Sequence, residues 1–175
     1  MRLFFALWPP PEAAEKLAAL AHRCADQFGG KPTRRATIHL TLAFLGEVSE
    51  ARLPALLEAM HAVRAEPFAL AVDRLGYWRH NRLLWAGPSA PVPALETLVE
   101  RLYAALAAAS FAADYGKHAF APHLSLVRKL AEAGLPATLP AIEAINWPCS
   151  GFSLVHSHLA DAAYESVATM PLAAQ

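Results

Sequence analysis

The chain repeats one pattern of predicted elements: a short apolar strand, a long amphipathic helix and a second strand. The two copies occupy, in chain order, residues 3–8, 11–28 and 37–45, then 82–86, 93–109 and 119–127. The strands are short apolar runs bounded by Pro or Gly, and the helices carry leucines at helical spacing. Two such units predict an α+β fold of two pseudo-symmetric lobes, in which the matching second strands line a shared cleft. Chance similarity between two strand–helix–strand units is the alternative.

Residues between and after the two units supply further elements. We predict a helix over residues 49–63 and strands over residues 68–75, 152–159 and 164–169. A length of 175 residues suits one domain or two closely packed lobes. Hydrophobic residues make up 55% and charged residues 17%, which is typical of a compact globular protein. We therefore expect one domain spanning residues 1–175.

Charge, cysteines and hydropathy limit the setting in which the chain works. Its formal net charge is zero, which argues against a protein that wraps duplex nucleic acid but allows a small substrate or an RNA held by its end. Cys24 and Cys149 show no metal-ligand spacing, and a reduced cytoplasmic setting fits them. No apolar run reaches the roughly 18 residues that span a bilayer. We expect a cytoplasmic monomer without a cofactor, a membrane segment or an obligate protein partner.

The two copies carry the same type of tetrapeptide in their second strands. It reads His-Leu-Thr-Leu from His39 and His-Leu-Ser-Leu from His123. Side chains alternate between the faces of a strand, so His39 shares a face with Thr41, and His123 shares a face with Ser125. Each strand is thus expected to present an imidazole and a hydroxyl, roughly 7 Å apart, on an apolar backing.

Two such pairs of imidazole and hydroxyl suit a displacement at a phosphodiester, in which an attacking oxygen bonds to phosphorus and a second oxygen leaves. That reaction needs a base for the nucleophile and an acid for the leaving oxygen, and imidazole serves either role because its ordinary pKa lies near 6.5. The hydroxyls can donate hydrogen bonds to the non-bridging phosphate oxygens. A single histidine beside leucines is usually a packing residue, but two copies matched in face and flanking residues are hard to explain by packing. No metal ligand set is needed for this chemistry.

These paired motifs resemble the signature of the 2H phosphoesterases. The wider match is to the RNA 2′,3′-cyclic phosphodiesterases, also called 2′-5′ RNA ligase-like proteins. The segments that carry the resemblance are residues 2–7, 39–46, 82–87 and 120–128, together with Tyr164. The resemblance implies a bilobal fold in which antiparallel sheets, with helices packed outside, surround an active-site cleft.

The resemblance also implies an activity and roles for the motif residues. The activity is metal-independent hydrolysis of an RNA 2′,3′-cyclic phosphate to a 2′-phosphomonoester, with a weak reverse 2′-5′ ligation. In that reaction His123 would be the general base on water and His39 the general acid for the departing 3′ oxygen, while Thr41 and Ser125 would hold the phosphate. The order of acid and base rests on the resemblance alone, because the two motifs are symmetric.

One position departs from the family pattern in residue type, and a second in its expected orientation. Ser125 stands where threonine is frequent, and it keeps the hydroxyl but loses the stiffening β-branch. Arg128 matches a family arginine that contacts phosphate, yet strict alternation turns it to the face opposite His123. It reaches the phosphate only if the strand bulges or ends near Val127, and otherwise it is a solvated charge at a strand end.

Other substrates and other classes of protein remain open at this point. The same site would also suit ADP-ribose cyclic phosphate or another small cyclic nucleotide. A non-catalytic module that binds RNA or nucleotides would not need two imidazoles, and a metallohydrolase would lose activity with a chelator. His156 and His158 share a strand face and are a conceivable metal pair, with Asp161 as the nearest carboxylate. Aromatic side chains that can stack on a base or pack in the core are Phe44, Tyr77, Trp78 and Trp85.

Overall fold

A computed structural model describes residues 1–111, 120–158 and 163–173 of the chain. Within these residues the helices are α1 (Pro11–Phe28), α2 (Leu53–Ala62) and α3 (Pro93–Ala108). The strands are β1 (Arg2–Leu7), β2 (Lys31–Pro32), β3 (Leu40–Glu47), β4 (Phe68–Val72), β5 (Arg74–Trp78), β6 (Leu83–Gly87), β7 (Leu124–Arg128), β8 (Ile145–Cys149), β9 (Gly151–His158) and β10 (Ala163–Pro171). None of the helices in the described part of the chain is long and apolar enough to cross a bilayer.

Each helix begins at a proline in its first turn. Pro11 and Pro93 open α1 and α3, and Pro54 is the second residue of α2. Proline is well suited there because the first backbone N–H groups of a helix have no partner within the helix. At the other end, α1 stops at Gly29, whose φ of 88° is readily adopted only by glycine.

The large sheet is antiparallel throughout and consists of two halves. Its strand order is β10-β9-β1-β3-β7-β6-β5, and β2 pairs with β7. The halves β10-β9-β1-β3 and β7-β6-β5 meet at one residue pair, Leu40 opposite Leu124. The expected α+β fold with two antiparallel halves is confirmed, and β4 and β8 form a separate two-stranded ribbon.

Each of the two long helices packs against the sheet half that contains the strands of the other unit. α1, from the first unit, packs against β2, β7 and β8, whereas α3, from the second unit, packs against β3 and α2. One contiguous cluster of buried apolar side chains runs from Leu3 to Leu172 and includes residues of all three helices and of both sheet halves. The two halves therefore share one core.

The two strands that follow the histidine motifs begin later than the sequence predicts. Residues 35–37 form a short 3₁₀ turn, and β3 begins at Leu40. The strand predicted over residues 119–127 begins at Leu124, and residue 119 lies outside the described residues. His39 and His123 therefore lie one residue before a strand, not inside it. The 3₁₀ turn before His39 and Pro122, which has no N–H to donate, delay the pairing.

Some other boundaries also differ. The strand predicted over residues 68–75 is two strands separated by Asp73, whose carboxylate accepts hydrogen bonds from the N–H and the hydroxyl of Ser89, each at 2.7 Å. β8 was not predicted, because Pro148 within it argues against a strand, and it is tolerated here since β8 pairs with β4 alone. The helix predicted over residues 49–63 is a 3₁₀ turn followed by α2. Residue 159, the predicted end of one strand, lies outside the described residues.

Candidate active site

The junction between the two sheet halves brings the two motifs together. Leu40 faces Leu124 across an antiparallel pair, and both leucines are fully buried. Side chains one position away on either strand turn to the opposite face, toward solvent. His39, Thr41, His123 and Ser125 accordingly line one open cleft, whose volume is about 310 Å³.

A β-bulge interrupts β3 inside the first motif. Thr41 pairs with Ala6 of β1, but Ala43 pairs with Phe5, the next residue along, so Leu42 has no partner of its own. A bulge of this kind places an extra residue in one strand and resets the alternation of its side chains. Leu42 and Ala43 are both buried as a result.

A second bulge lies at the corresponding position of the second motif. Ser125 pairs with Trp85 of β6 and Val127 pairs with the adjacent Leu84, so Leu126 has no partner of its own. Leu126 and Val127 are both buried, as their counterparts in the first motif are. The pseudo-symmetry of the fold therefore extends to the irregularities of the backbone.

The bulges decide where the next residues point. Phe44 and Arg128 occupy equivalent positions after the two bulges, and both line the cleft. Strict alternation alone would have turned Arg128 away from His123. The bulge at Leu126 is the irregularity that brings Arg128 to the same side of the strand as His123.

His39 lies in an apolar, aromatic pocket. Its ring centroid is 5.0 Å from that of Phe4, 5.3 Å from Trp8 and 5.2 Å from Tyr164, which meets it edge to face. The pKa of His39 is lowered to about 4, mainly by burial and to a smaller extent by the neighbouring Arg128 and His123, against the opposing effect of a hydrogen bond to the Thr37 carbonyl.

His123 lies in a similar but less enclosed setting. The ring of Trp78 meets it edge to face, with centroids 4.4 Å apart. Burial lowers its pKa, a hydrogen bond to the Ala121 carbonyl opposes that change, and the charge of Arg128 adds to it. Both imidazoles are therefore neutral near pH 7 when the cleft holds no anion.

The same hydrogen bond fixes the tautomer of both rings. The Nδ1–H of His39 donates to the carbonyl oxygen of Thr37 at 2.8 Å, and the Nδ1–H of His123 donates to that of Ala121, also at 2.8 Å. Each acceptor belongs to the residue two positions earlier. Nε2 of each neutral ring therefore carries the lone pair that can accept a proton.

All five predicted site residues line this cleft. The residues that line it are Arg2, Phe4, His39, Thr41, Phe44, His123, Ser125, Arg128, Ser157 and Tyr164. Arg2, Phe4 and Ser157 were missed as site residues. The guanidinium of Arg2 lies over the Phe44 ring, 4.9 Å from its centroid, and only the pairing of β1 with β3 reveals this contact.

The aromatic candidates divide between the cleft and the core. Phe44, the large apolar side chain most exposed among the described residues at 38%, lines the cleft. The ring of Trp78 contacts the His123 ring on one side and packs against Trp85, which is buried. The hydroxyl of Tyr77 donates to the Leu130 carbonyl at 2.8 Å, so its role is structural.

A larger groove of about 490 Å³ lies between α1 and residues 140–145. Its titratable side chains are Lys16, Arg23, Cys24 and Glu143, and burial raises the pKa of the Cys24 thiol. That set holds neither an imidazole nor a reactive thiolate at neutral pH. The smaller cleft, with two imidazoles and two hydroxyls, is therefore the candidate active site.

Comparison with known proteins shows the family of the chain. Residues 7–85 match the family model of LigT-like phosphoesterases. The RNA 2′,3′-cyclic phosphodiesterase of Escherichia coli is 35% identical over 149 residues, which cover 83% of this chain and 80% of that protein. The Thermus thermophilus protein of the same name is 33% identical over 91% of this chain and 83% of its own. The crystal structure of E. coli LigT in apo form superposes with a TM-score of 0.85 at 30% identity, covering 99% of this chain and 98% of that one.

Proposed function

Because the chain belongs to the LigT-like phosphoesterases, the family of the RNA 2′,3′-cyclic phosphodiesterases, we propose that it opens the 2′,3′-cyclic phosphate at an RNA end to a 2′-phosphomonoester. The observation that carries this proposal is the matched pair of imidazoles in one cleft. Each is held in the same tautomer by a hydrogen bond to the backbone carbonyl two residues earlier. Two hydroxyls and a guanidinium beside them suit a phosphate. The proposed reaction uses no metal, and the reverse 2′-5′ ligation is its weak counterpart.

The proposed reaction is an in-line displacement at phosphorus. Nε2 of His123 takes a proton from water while the water oxygen forms a bond to phosphorus. The bond from phosphorus to the 3′ oxygen breaks, and the Nε2–H of protonated His39 gives its proton to that oxygen. The hydroxyls of Thr41 and Ser125 and the guanidinium of Arg128 bind the non-bridging oxygens, where charge accumulates.

This order of acid and base makes a demand on His39. With a pKa of about 4 in the empty cleft, the ring is neutral at pH 7 and has no proton to give. Raising its pKa by about 3 units requires about 4 kcal/mol. An anionic phosphate about 4 Å from the ring supplies roughly that energy at an effective dielectric constant near 20. We infer that the substrate itself charges His39 when it binds.

The activity is tested with an RNA oligonucleotide that ends in a 2′,3′-cyclic phosphate, in excess EDTA. The wild-type protein is expected to release a 2′-phosphate end, and His39→Ala and His123→Ala are each expected to lower kcat by at least about 100-fold, as the loss of a general acid or base does. His22→Ala, at an exposed position of α1, is the matched control. Turnover that requires added metal, or that survives in both variants, contradicts the mechanism.

The roles of the two histidines are tested with a leaving group that needs no proton. Replacing the 3′ oxygen by sulfur makes the departing group a stable thiolate. His39→Ala should then lose much less activity on the thio substrate than on the oxygen substrate, whereas His123→Ala should lose about the same on both. The opposite pattern would assign the acid to His123 and the base to His39, the assignment that the neutral form of His39 in the empty cleft would favour by itself.

The size of the cleft supports a substrate that is contacted through its last nucleotide. At about 310 Å³ it lies near the lower end of the roughly 300–1,000 Å³ usual for ligand pockets. We therefore expect small 2′,3′-cyclic nucleotides to be hydrolysed as well. Comparing kcat/KM for a cyclic mononucleotide and a cyclic-ended oligonucleotide separates the two substrate classes, and binding of either without turnover would point to a non-catalytic module.

We further propose that residues 1–175 form one bilobal domain that acts as a monomer in the cytoplasm. The shared core and the crossed helices support a single domain. Both cysteines are free and buried, which suits a reducing compartment. The scarcity of large exposed apolar side chains among the described residues supports a monomer.

A further inference from the structure

Three side chains that the proposed reaction does not use meet on the far side of the β9–β10 pair. His156 and His158 lie two positions apart on β9 and share one face of the strand. Glu165 of β10 is directly opposite His156 in the antiparallel register. One ligand atom from each of the three side chains lies within 4.8 Å of the other two.

The sequence alone does not reveal this group. Counting along the chain offers Asp161 as the nearest carboxylate, and Asp161 lies outside the described residues. Glu165 is nine residues from His156 in sequence, and the register of β9 with β10 is what brings it to the histidines. The third ligand is therefore a product of strand pairing.

We propose that His156, His158 and Glu165 form a binding site for a divalent transition metal, with Zn²⁺ as the expected ion. Two imidazoles and one carboxylate are a set that Zn²⁺ accepts, with water as the remaining ligand. Alkaline-earth ions, which prefer oxygen ligands, should bind poorly.

The geometry is close to what zinc requires. Ligand atoms about 2.1 Å from a tetrahedral ion are about 3.4 Å from one another. Nε2 of His158 already lies 3.0 Å from Oε2 of Glu165. The rings of His156 and His158 have centroids 4.0 Å apart, and all three ligand atoms lie within 4.8 Å of one another, so side-chain rotation has to shorten these separations to about 3.4 Å. The side chains of His158 and Glu165 are 37% and 67% exposed, so an ion reaches them from solvent.

The position of the site indicates what the ion does. Ser157, between the two histidines, turns to the opposite face and lines the active-site cleft, as does Tyr164, the residue paired with it. A metal on the far face ties β9 to β10 without contacting the cleft. Its effect is therefore to stabilise the outer edge of the sheet and not to take part in the displacement at phosphorus.

The test uses the full chain without a polyhistidine tag, stripped with EDTA and desalted, and titrated calorimetrically with ZnCl₂. One Zn²⁺ per chain is expected to bind. The His156→Ala/His158→Ala double variant should not bind it, and Glu165→Gln should bind at least about tenfold more weakly, because even outer-shell changes cost 10–100-fold. His22→Ala and His61→Ala, at exposed helical positions, are the controls and should bind as the wild type does.

A second measurement follows thermal unfolding. Zinc at 100 times its Kd should raise the Tm by about 5–10 °C in the wild type and not in the double variant. MgCl₂ at the same concentration should leave the Tm unchanged. Equal zinc stoichiometry in the wild type and the double variant, or no binding by the wild type at 100 µM Zn²⁺, overturns the proposal, since the three side chains would then be only a hydrogen-bonded surface cluster.

Discussion

The burial of His39 should lower the free energy of unfolding in acid, and the contribution of this one residue can be measured by substituting it. The folded protein holds the pKa of His39 at about 4, whereas an unfolded chain has the ordinary value of 6.5. Between these values the unfolded chain binds the extra proton, so folding stability is complete above about pH 6.5 and falls as the pH drops toward 4. At pH 4 the expected loss from this residue is about 3 kcal/mol, an upper figure because part of the ring contacts solvent.

Urea unfolding at pH 7 and at pH 4 measures this loss. Carboxylates and other histidines also titrate in that range, so the informative quantity is the difference between wild type and His39→Gln. The variant should lose about 3 kcal/mol less than the wild type on acidification. His22→Gln, at an exposed position, should behave as the wild type does. If His39→Gln and the wild type lose the same free energy of unfolding, His39 is not held in its neutral form by burial, and the proposed charging by substrate loses its basis.

Three further changes test two residues of the site and one tightly packed glycine. Thr41→Val, which keeps the shape but removes the hydroxyl, should lower kcat by roughly 100-fold, whereas Thr41→Ser should retain most of it in the same assay. Arg128→Met should raise KM for the cyclic-ended RNA by about tenfold, the usual effect of losing one charge-assisted contact, while Lys129→Met next to it should not. Gly30→Ala should lower the free energy of unfolding by about 1–3 kcal/mol, measured as a lower urea midpoint. The reason is that φ of Gly30 is +88° and that a Cβ there would lie 2.6 Å from a Val127 methyl group and 2.9 Å from a backbone oxygen.

The sequence predicted the parts of the fold that depend on local pattern. The bounds of α1 follow from Pro11 and Gly29, and the end of α3 lies within one residue of its predicted position. The histidines and hydroxyls were found because a repeated tetrapeptide is visible without knowing any tertiary contact. Their meeting in one cleft followed from the expected pseudo-symmetry.

Features that arise from pairing between distant strands were not visible in the sequence. The bulges at Leu42 and Leu126 exist only relative to β1 and β6, so the placement of Arg128 stayed conditional. Arg2 entered the site because β1 lies beside β3. Pro148 argued against a strand at β8. The strand tolerates this proline because it pairs with β4 on one edge only, so the missing N–H of Pro148 is not needed by a second partner strand.

The crossed packing of the helices also constrains how the chain folds during synthesis. α1 is complete once residue 28 has left the ribosome, but β7, against which it packs, is made about 100 residues later. At about 5–20 residues per second this interval lasts roughly 5–20 s. During that time the apolar face of α1 has no β7 to cover it, so a nascent chain paused in its second half is the form of this protein most exposed to aggregation and most dependent on chaperones.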